Sequence, residues 1–189
     1  MEKENMSERK PMVLVLAGPN GSGKSTITHF FEIVGNYTNA DDMVASTGMS
    51  NEEATALADK MRYHSIELKE DFTFETVLSS HYKIDILEKA KSEGYFIKCI
   101  FVLTVDPSVN IVRVASRVAL GGHDVDESKI RSRYEKSLAN IKHLMKMCDI
   151  LHVYDNTYKP VRIIRKHKDE VSVFPNEIWS EDRILSLIN

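Results

Sequence analysis

Short apolar segments alternate with amphipathic segments along most of the chain. The apolar runs have the length of β-strands, and the amphipathic segments repeat their apolar residues at helical spacing. Strands that alternate with helices predict a mainly parallel sheet with right-handed crossovers and helices on both faces. We therefore expect a three-layer α/β/α fold with a five-stranded sheet, whose strands lie at residues 12–17, 36–40, 72–78, 96–105 and 150–154.

Several amphipathic segments carry local signals that begin or end helices. Ser50 and Glu53 have the spacing of a capping box, which predicts a helix reaching about residue 68. Asp106 precedes Pro107, and this pair predicts a cap followed by a helix that reaches about residue 120. Apolar residues at helical spacing predict one long helix over residues 126–148.

The pattern changes after residue 157. β-Branched residues at 161–165 and 170–174 flank a polar turn, which predicts a β-hairpin at the edge of the sheet or packed outside it. Residues 180–187 predict a short terminal helix. The C-terminal part of the chain, 158–189, is therefore expected to add a hairpin and a helix to the parallel sheet.

A glycine-rich loop follows the first predicted strand and has the Walker A pattern. Its glycines allow backbone N–H groups to point at phosphate oxygens, and a helix predicted over 26–34 adds the positive end of its dipole. Lys24 is expected to reach the β- and γ-phosphates of ATP, and Ser25 to place its hydroxyl on Mg²⁺. The nucleotide-binding residues are expected to be Gly18, Pro19, Asn20, Gly21, Ser22, Gly23, Lys24, Ser25 and Thr26.

The composition is typical of a globular protein, and the charge argues against one class of partner. Of 189 residues, 42% are hydrophobic and 28% are charged, and the net charge of -3 argues against a nucleic-acid partner. Cys99 and Cys148 form no CxxC pair, so we expect buried free thiols. The apolar runs are strand-sized and the first ten residues lack the apolar region of a secretory signal, so we expect a cytoplasmic location without a membrane span.

Carboxylates near the ends of two predicted strands are candidates for the acceptor side of a phosphoryl-transfer site. Ligands of parallel sheets bind beyond the carboxyl ends of the strands. Asp41 follows the second strand and is the candidate base, although Asp41 or Asp42 could instead cap the next helix. Glu75 lies near the end of the third strand, where an ionised side chain favours contact with substrate or Mg²⁺. Thr76 is a weaker candidate, because β-branched residues suit strands for packing reasons alone.

Arginines surround a glycine hinge predicted at residues 121–125. In the helix before the hinge, Arg113 falls opposite the apolar face and is expected to be solvated, whereas Arg117 can lean over the site. In the helix after it, Arg131 and Arg133 border the apolar stripe on opposite sides, so only one of them is expected to point at the nucleotide. This arrangement is typical of the lid of small kinases, which excludes water and holds the transferring group.

Three loop positions have two readings each. His123 could contact phosphate or substrate, although a lone loop histidine is more often uninvolved. Asp106 stands where a Walker B aspartate would, but Pro107 favours a helix cap. Residues 155–157 could lie near adenine or form a simple turn.

Together these motifs resemble the zeta-toxin-like P-loop kinase family. The resemblance spans residues 12 to about 157 and implies a P-loop kinase-like domain over 1–189, with a flexible tail at 1–11. It also implies ATP-dependent phosphorylation of UDP-N-acetylglucosamine on a sugar hydroxyl, and an antitoxin protein that blocks the nucleotide site. The chain is shorter than typical zeta toxins.

Carried over by residue, the resemblance agrees with the positions reached from strand ends and helix faces. It implies Lys24 and Ser25 on phosphates and Mg²⁺, Asp41 as the base, Glu75 and Thr76 near substrate or metal, and Arg117 with Arg131 or Arg133 on the phosphates. Arg133 fits the Arg-Tyr pair of the family better than Arg131 does.

Two further functions stay open at this stage. One is a nucleotide-binding ATPase or switch that acts on a partner protein, and the other is a kinase for a different small metabolite. A small-molecule acceptor, with a nucleotide sugar favoured, is the principal expectation.

Overall fold

The computed structural model describes residues 9–122 and 124–189. Its strands form one seven-stranded sheet. They are β1 Met12–Ala17, β2 Asn36–Thr38, β3 Phe72–Thr76, β4 Phe96–Leu103, β5 Ile150–Asp155, β6 Val161–His167 and β7 Glu170–Val173. The order across the sheet is β2-β3-β1-β4-β5-β6-β7, with β1 to β5 parallel and β6 and β7 antiparallel. The α/β fold with a mainly parallel sheet is confirmed, and the C-terminal hairpin extends that sheet from five strands to seven.

Helices connect the parallel strands, and a last helix follows the C-terminal hairpin. They are α1 Lys24–Thr28, α2 Ala40–Thr47, α3 Asn51–Glu67, α4 His81–Ser92, α5 Pro107–Ala119, α6 Glu127–Ala139, α7 Ile141–Met147 and α8 Glu181–Leu185. The predicted capping box begins α3, where Ser50 and Glu53 bond to each other's backbone N–H groups. Asp106 caps α5 by accepting a hydrogen bond of 2.7 Å from the N–H of Ser108. Of its two readings, the cap is therefore the one that the structure supports.

The core lies mainly on one face of the sheet. Strand β1 is central, and Val13 to Ala17 are at most 1% exposed, because a central parallel strand is covered on both faces. Val15 belongs to the larger apolar cluster, which includes residues of α3, α4 and α7, whereas Leu16 belongs to a smaller cluster that includes Ile27 of α1. Cys99 and Cys148 are free and buried in the larger cluster, as predicted.

The helix after the P-loop is much shorter than the predicted 26–34. The N–H groups of Phe30 and Phe31 bond three residues back, to the carbonyls of Ile27 and Thr28, so the α-helical pattern ends there. The hydroxyl of Thr73 on β3 then bonds both the N–H and the carbonyl of Val34, at 3.0 and 2.7 Å. A side chain distant in sequence therefore holds this segment out of the helix.

The long helix predicted over 126–148 is two helices, and the prediction was wrong at Asn140. This residue lies between α6 and α7, and its side-chain amide donates a 2.8 Å hydrogen bond to the carbonyl of Leu78. Ser137 similarly bonds the carbonyl of Val77 at 2.7 Å. Both bonds attach the helices to the loop after β3, so the break follows from a tertiary contact that periodicity does not reveal.

The expected tail at 1–11 is ordered in its described part. Arg9 forms an ion pair with Asp71, and the carbonyl of Pro11 accepts a 2.8 Å hydrogen bond from the N–H of Phe96. Residues 9–11 therefore attach to the sheet. Within the ranges 9–122 and 124–189, no helix combines the length and apolar character needed to cross a membrane.

Trp179 tests whether the C-terminal part contributes to the core. Its ring is 1% exposed and belongs to the larger apolar cluster, while its indole N–H has no hydrogen-bond partner. Trp179→Ala should lower the free energy of unfolding by about 3–5 kcal/mol, because a large buried volume is lost. Trp179→Phe should cost less, since it also removes the unpaired N–H.

Urea unfolding followed by circular dichroism measures both values. Tyr158→Ala is the surface control, because Tyr158 is 86% exposed and its loss should change stability by less than about 0.5 kcal/mol. A Trp179→Ala value equal to that control would show that burial of Trp179 does not stabilise the fold.

Candidate active site

Three residues of the P-loop have backbone angles that favour glycine. Gly18, Gly21 and Gly23 have φ values of 144°, 74° and 82°, a region that other residues rarely adopt. A Cβ on Gly18 would lie 2.0 Å from the carbonyl oxygen of Val102, and one on Gly21 would lie 2.5 Å from that of Asn110. At these two glycines the loop lies so close to β4 and α5 that no side chain fits.

Side chains from two other segments hold the loop carbonyls. Asn110 of α5 donates a 2.5 Å hydrogen bond to the carbonyl of Asn20 and accepts one from Thr104. Asn156, which follows β5, donates a 2.9 Å hydrogen bond to the carbonyl of Ser22. With the carbonyls satisfied in this way, backbone N–H groups stay available for an anion, as a phosphate-binding nest requires.

Sequence reasoning missed Asn110 and assigned Arg113 wrongly. Arg113 was expected to be solvated, but it is half-buried and donates a 3.0 Å hydrogen bond to the carbonyl of Thr157. The inward face of α5 includes buried Asn110 and Val114, while Ala115 is exposed. A buried helix face that contacts the backbone carbonyls of a loop needs hydrogen-bond donors as well as apolar groups. Polar residues at inward positions of α5 were therefore the signal that sequence reasoning missed.

Lys24 lies at the centre of the site. Its ammonium donates a 2.9 Å hydrogen bond to the carbonyl of Gly18 and lies 3.9 Å from Oε1 of Glu75. Burial lowers the pKa of Lys24, and the carboxylates of Glu75 and Asp41 offset part of that shift. A buried ammonium in this setting is stabilised by added negative charge, which is what nucleotide phosphates bring.

A cavity of about 720 Å³ opens in front of Lys24 at the carboxyl ends of the strands. It is bounded by the P-loop, the loop after β3, and residues of α2, α3, α5 and α6. The predicted residues that line it are Lys24, Asn20, Asp41, Glu75, Thr76, Arg117 and Arg133. The fold therefore brings together, around one space, groups that the sequence separates by more than a hundred residues.

Asp41 lies in the first turn of α2, and Asn39 is the cap of that helix. The side-chain oxygen of Asn39 accepts a 3.1 Å hydrogen bond from the N–H of Asp41. The capping role considered for Asp41 or Asp42 is thus filled by Asn39. The side chain of Asp41 is left for the cavity that it lines.

Glu75 and Thr76 differ in how they face the cavity. Burial raises the pKa of Glu75, and the Lys24 ammonium partly offsets this shift. The hydroxyl of Thr76 accepts a 3.0 Å hydrogen bond from the N–H of Leu78, which has a positive φ of 55°. Thr76 therefore also supports the strained loop beside the cavity.

Arg117, Arg131 and Arg133 differ in their position relative to the cavity. Arg133 lines the cavity and donates a 3.3 Å hydrogen bond to the side-chain oxygen of Asn20 in the P-loop. Arg131 is exposed and pairs with Glu127 at 2.8 Å on the surface of α6, so its predicted nucleotide contact is not supported. Arg117 is exposed but lines the cavity.

Three predicted positions need separate mention. Ser25 and Thr26 are exposed in the first turn of α1, beside the loop. His123 lies outside the described residues. In the described part of the chain no group of three or more His, Cys, Asp or Glu side chains could hold a metal.

A buried charge cluster was missed by sequence reasoning. The Asp59 carboxylate bonds Arg62 at 2.7 Å and Lys83 at 2.6 Å, and both cations line the far side of the cavity. Arg62 also donates a 2.9 Å hydrogen bond to the hydroxyl of Thr38 at the end of β2. Charged residues on amphipathic helices usually face solvent, so nothing in the pattern of α3 or α4 marked this cluster.

Gly21 tests the close approach of the P-loop to α5. Gly21→Ala should lower the affinity for ATP with Mg²⁺ by at least about tenfold, because the new Cβ displaces the loop from Asn110. Gly48→Ala is the matched control, since Gly48 has a φ of 73° but nothing within 4 Å of a Cβ.

Calorimetric titration and urea unfolding separate the two effects. Both variants should lose about 1–2 kcal/mol of stability from the strained backbone, while only Gly21→Ala loses affinity. Unchanged ATP affinity in Gly21→Ala would contradict a nucleotide site in this loop.

Comparisons with known proteins place the chain in a family. An uncharacterized protein of Haemophilus influenzae is 26% identical over 123 residues, which cover 62% of this chain and 88% of that protein. A chain in the crystal structure of AvrRxo1-ORF1:AvrRxo1-ORF2 with sulphate ions aligns with a TM-score of 0.65 at 16% identity, over 91% of this chain and 63% of that chain. This chain therefore spans somewhat under two thirds of that relative.

A second structural similarity involves the PezAT chromosomal toxin-antitoxin system of Streptococcus pneumoniae. The TM-score is 0.61 at 13% identity, over 80% of this chain and 71% of the other. At such identities the structures support the fold alone. The Zeta toxin family itself matches residues 36–178 and begins after the P-loop, so the loop and the family match are separate observations. Because this match covers well over half of the sequence, the chain belongs to the zeta toxin family of ATP-dependent P-loop kinases.

Proposed function

We propose that the protein transfers the γ-phosphoryl group of ATP to a hydroxyl of a small molecule. A UDP-amino sugar such as UDP-N-acetylglucosamine is the favoured acceptor. The observation that carries this proposal is the cavity in front of Lys24, which is lined by a P-loop on one side and by Asp41 on the other. A site for hydrolysis alone would not need a cavity of about 720 Å³ that extends from Lys24 to Arg62 of α3 and Lys83 of α4.

The donor side consists of the P-loop and the start of α1. Backbone N–H groups of the loop bind phosphate oxygens, and Lys24 neutralises the β- and γ-phosphates. The exposed hydroxyl of Ser25 is the protein ligand for Mg²⁺. ATP with Mg²⁺ supplies the transferable phosphoryl group and part of the charge neutralisation.

Two arginines stabilise the charge that develops during transfer. Arg133 is held at the P-loop by its hydrogen bond to Asn20, and Arg117 lines the same cavity from α5. Guanidinium groups bind phosphoryl oxygens with several donors in one plane. Residues 121–125, which follow α5, are the proposed hinge of a lid, because Gly121 has a φ of 85°. The contacts proposed for His123 stay a prediction.

Asp41 is the proposed base. Its position in the first turn of α2 places a carboxylate at the cavity and within electrostatic reach of Lys24. It accepts the proton of the attacking hydroxyl as the bond to phosphorus forms. Glu75 and Thr76 bind the acceptor from the end of β3.

The part of the cavity around Arg62 and Lys83 favours a polar acceptor that carries an anionic group. Arg62 and Lys83 share a single carboxylate, so their cluster with Asp59 keeps a net positive charge. Ser79 and Ser80 add hydroxyls beside them. A nucleotide sugar brings both hydroxyls and phosphates to such a surface, which supports the proposed acceptor class over an uncharged metabolite.

A protein partner is the second part of the proposal. The AvrRxo1 structure is a complex of two proteins and PezAT is a toxin-antitoxin system, so an antitoxin-like protein is the proposed partner. A cytoplasmic location, where ATP and nucleotide sugars are present, is consistent with this function and stays a prediction.

The decisive experiment measures ADP release and phosphorylated product together. The protein is incubated with ATP, Mg²⁺ and single members of a panel of nucleotide sugars, nucleosides and sugars. Acceptor-dependent ADP release with UDP-N-acetylglucosamine supports the proposal, and product with another member identifies a different kinase substrate. Slow ADP release that no acceptor changes would favour the ATPase or switch that acts on a partner protein.

Asp41 and Asp42 provide a matched pair. Asp41→Asn should reduce acceptor phosphorylation by about 10²–10⁴-fold while ATP affinity changes little, since the residue acts on the acceptor proton. Asp42→Asn should keep most activity, because Asp42 does not line the cavity. Initial rates and calorimetric ATP titration measure the two effects. Equal activities in the two variants, or loss of ATP binding in Asp41→Asn, would overturn the assigned role.

A further inference from the structure

We propose that Tyr37 is a positioning residue, which orients the Glu75 carboxylate and joins it through Asn39 to the helix turn that carries Asp41. This inference rests on the proposed function, because it concerns the acceptor side of that site. Tyr37 itself does not line the cavity, so it acts through the residues that do.

The register of the sheet brings Tyr37 to Glu75. Tyr37 of β2 pairs with Thr73 of β3, and Glu75 follows two residues later on the same face. The Tyr37 hydroxyl donates a hydrogen bond of 3.4 Å to Oε2 of Glu75. The other carboxylate oxygen, Oε1, lies 3.9 Å from the Lys24 ammonium. Both oxygens of Glu75 therefore have a partner, which fixes the plane of the carboxylate.

Asn39 sets the direction of the hydrogen bonds. Its Oδ1 accepts the N–H of Asp41 at 3.1 Å, so its Nδ2 is the atom that faces the Tyr37 oxygen, at 3.3 Å. An amide nitrogen can only donate, so the Tyr37 oxygen accepts this bond. The single hydroxyl proton of Tyr37 is then left for Glu75. The series of hydrogen bonds therefore runs from the cap of α2 to β3, with one donor and one acceptor in each bond.

The end of β2 is held by further hydrogen bonds that do not belong to this series. Arg62 bonds both the hydroxyl and the carbonyl of Thr38, at 2.9 and 3.3 Å. Thr38 lies between Tyr37 and Asn39, so the backbone that carries both groups is clamped from α3. The ring of Tyr37 is 39% exposed, and removing its hydroxyl therefore takes away the orienting bond with little change to the packing.

The protonation of both groups suits this role. Burial, with Glu75 as the next contribution, raises the pKa of Tyr37 to about 12, so its hydroxyl stays a donor at neutral pH. Glu75 faces Lys24 from α1, Asp41 and Asp42 from α2 and Tyr37 from β2. Burial raises its pKa, Lys24 and the Tyr37 hydrogen bond lower it, and the two aspartates raise it further.

Loss of the Tyr37 hydroxyl should shift the pKa of Glu75 in one direction. The bond from Tyr37 stabilises the ionised form of Glu75, so its removal raises the pKa of Glu75 and extends the protonated form to higher pH. If ionised Glu75 binds the acceptor, the acid limb of the pH profile moves upward. A merely structural role would lower activity without moving that limb.

The first measurement needs no acceptor. The carboxyl carbon of Glu75 is titrated by nuclear magnetic resonance in the wild-type protein and in Tyr37→Phe, with Glu75→Gln used for assignment. An upward shift of the pKa in Tyr37→Phe is expected. Tyr82→Phe is the matched control, because it removes the hydroxyl of a ring on α4 that is 48% exposed. An unchanged pKa in Tyr37→Phe would overturn the inference.

The second measurement uses ATP, Mg²⁺ and UDP-N-acetylglucosamine. Tyr37→Phe should lower kcat/KM for the acceptor by about tenfold, with ATP affinity unchanged and the acid limb shifted upward. Asn39→Ser keeps a good helix cap but lacks the amide donor, so it should shift the limb in the same direction.

The outcomes separate this inference from the proposed function. Absence of acceptor phosphorylation in the wild-type protein would count against the proposed function, while the titration of Glu75 still tests the hydrogen bond. An active wild-type protein with an identical pH profile in Tyr37→Phe would overturn the positioning role alone.

Discussion

The structure depends on one close contact between backbones. Gly18 and Gly21 bring the P-loop against the carbonyls of Val102 and Asn110, at separations that exclude a Cβ. Because hydrogen bonds from Asn110 and Asn156 hold the loop in this position, its N–H groups are oriented before a nucleotide binds. Preorganised donors stabilise charge without reorganisation during the reaction. The donor side is therefore built mainly from backbone, and the side chains of Asn110 and Asn156 serve to hold that backbone.

The proposed acceptor side is built in a different way. Its groups are side chains from β3, α2, α3, α4, α5 and α6, and their charges balance through contacts within α3 and between elements. Asp59 pairs with two cations, and Glu75 shares the field of Lys24 with Asp41. A cavity of this kind keeps ionised groups at modest cost because each buried charge has a partner. Its specificity can change with single side chains while the donor loop stays the same.

The parts predicted from sequence are those with local causes. The order of strands and helices, the capping box at Ser50 and the glycine loop follow from spacing and turn chemistry, and the structure contains them. The short α1 and the break at Asn140 have distant causes, the hydroxyl of Thr73 and the carbonyl of Leu78. Hydrogen bonds between segments far apart in sequence leave no periodic signal, so these boundaries could not be read beforehand.

The same distinction explains the errors in the site. Lys24 and Asp41 were identified because a motif or a strand end places them, but Arg113 was assigned to solvent because it lies opposite the apolar residues of α5. In the structure that helix faces a polar loop, whose carbonyls require donors, so the inward face is partly polar. Apolar periodicity indicates which face meets a hydrophobic layer. Apolar periodicity gives no information where a helix meets the edge of a sheet. In this fold, the P-loop lies at that edge.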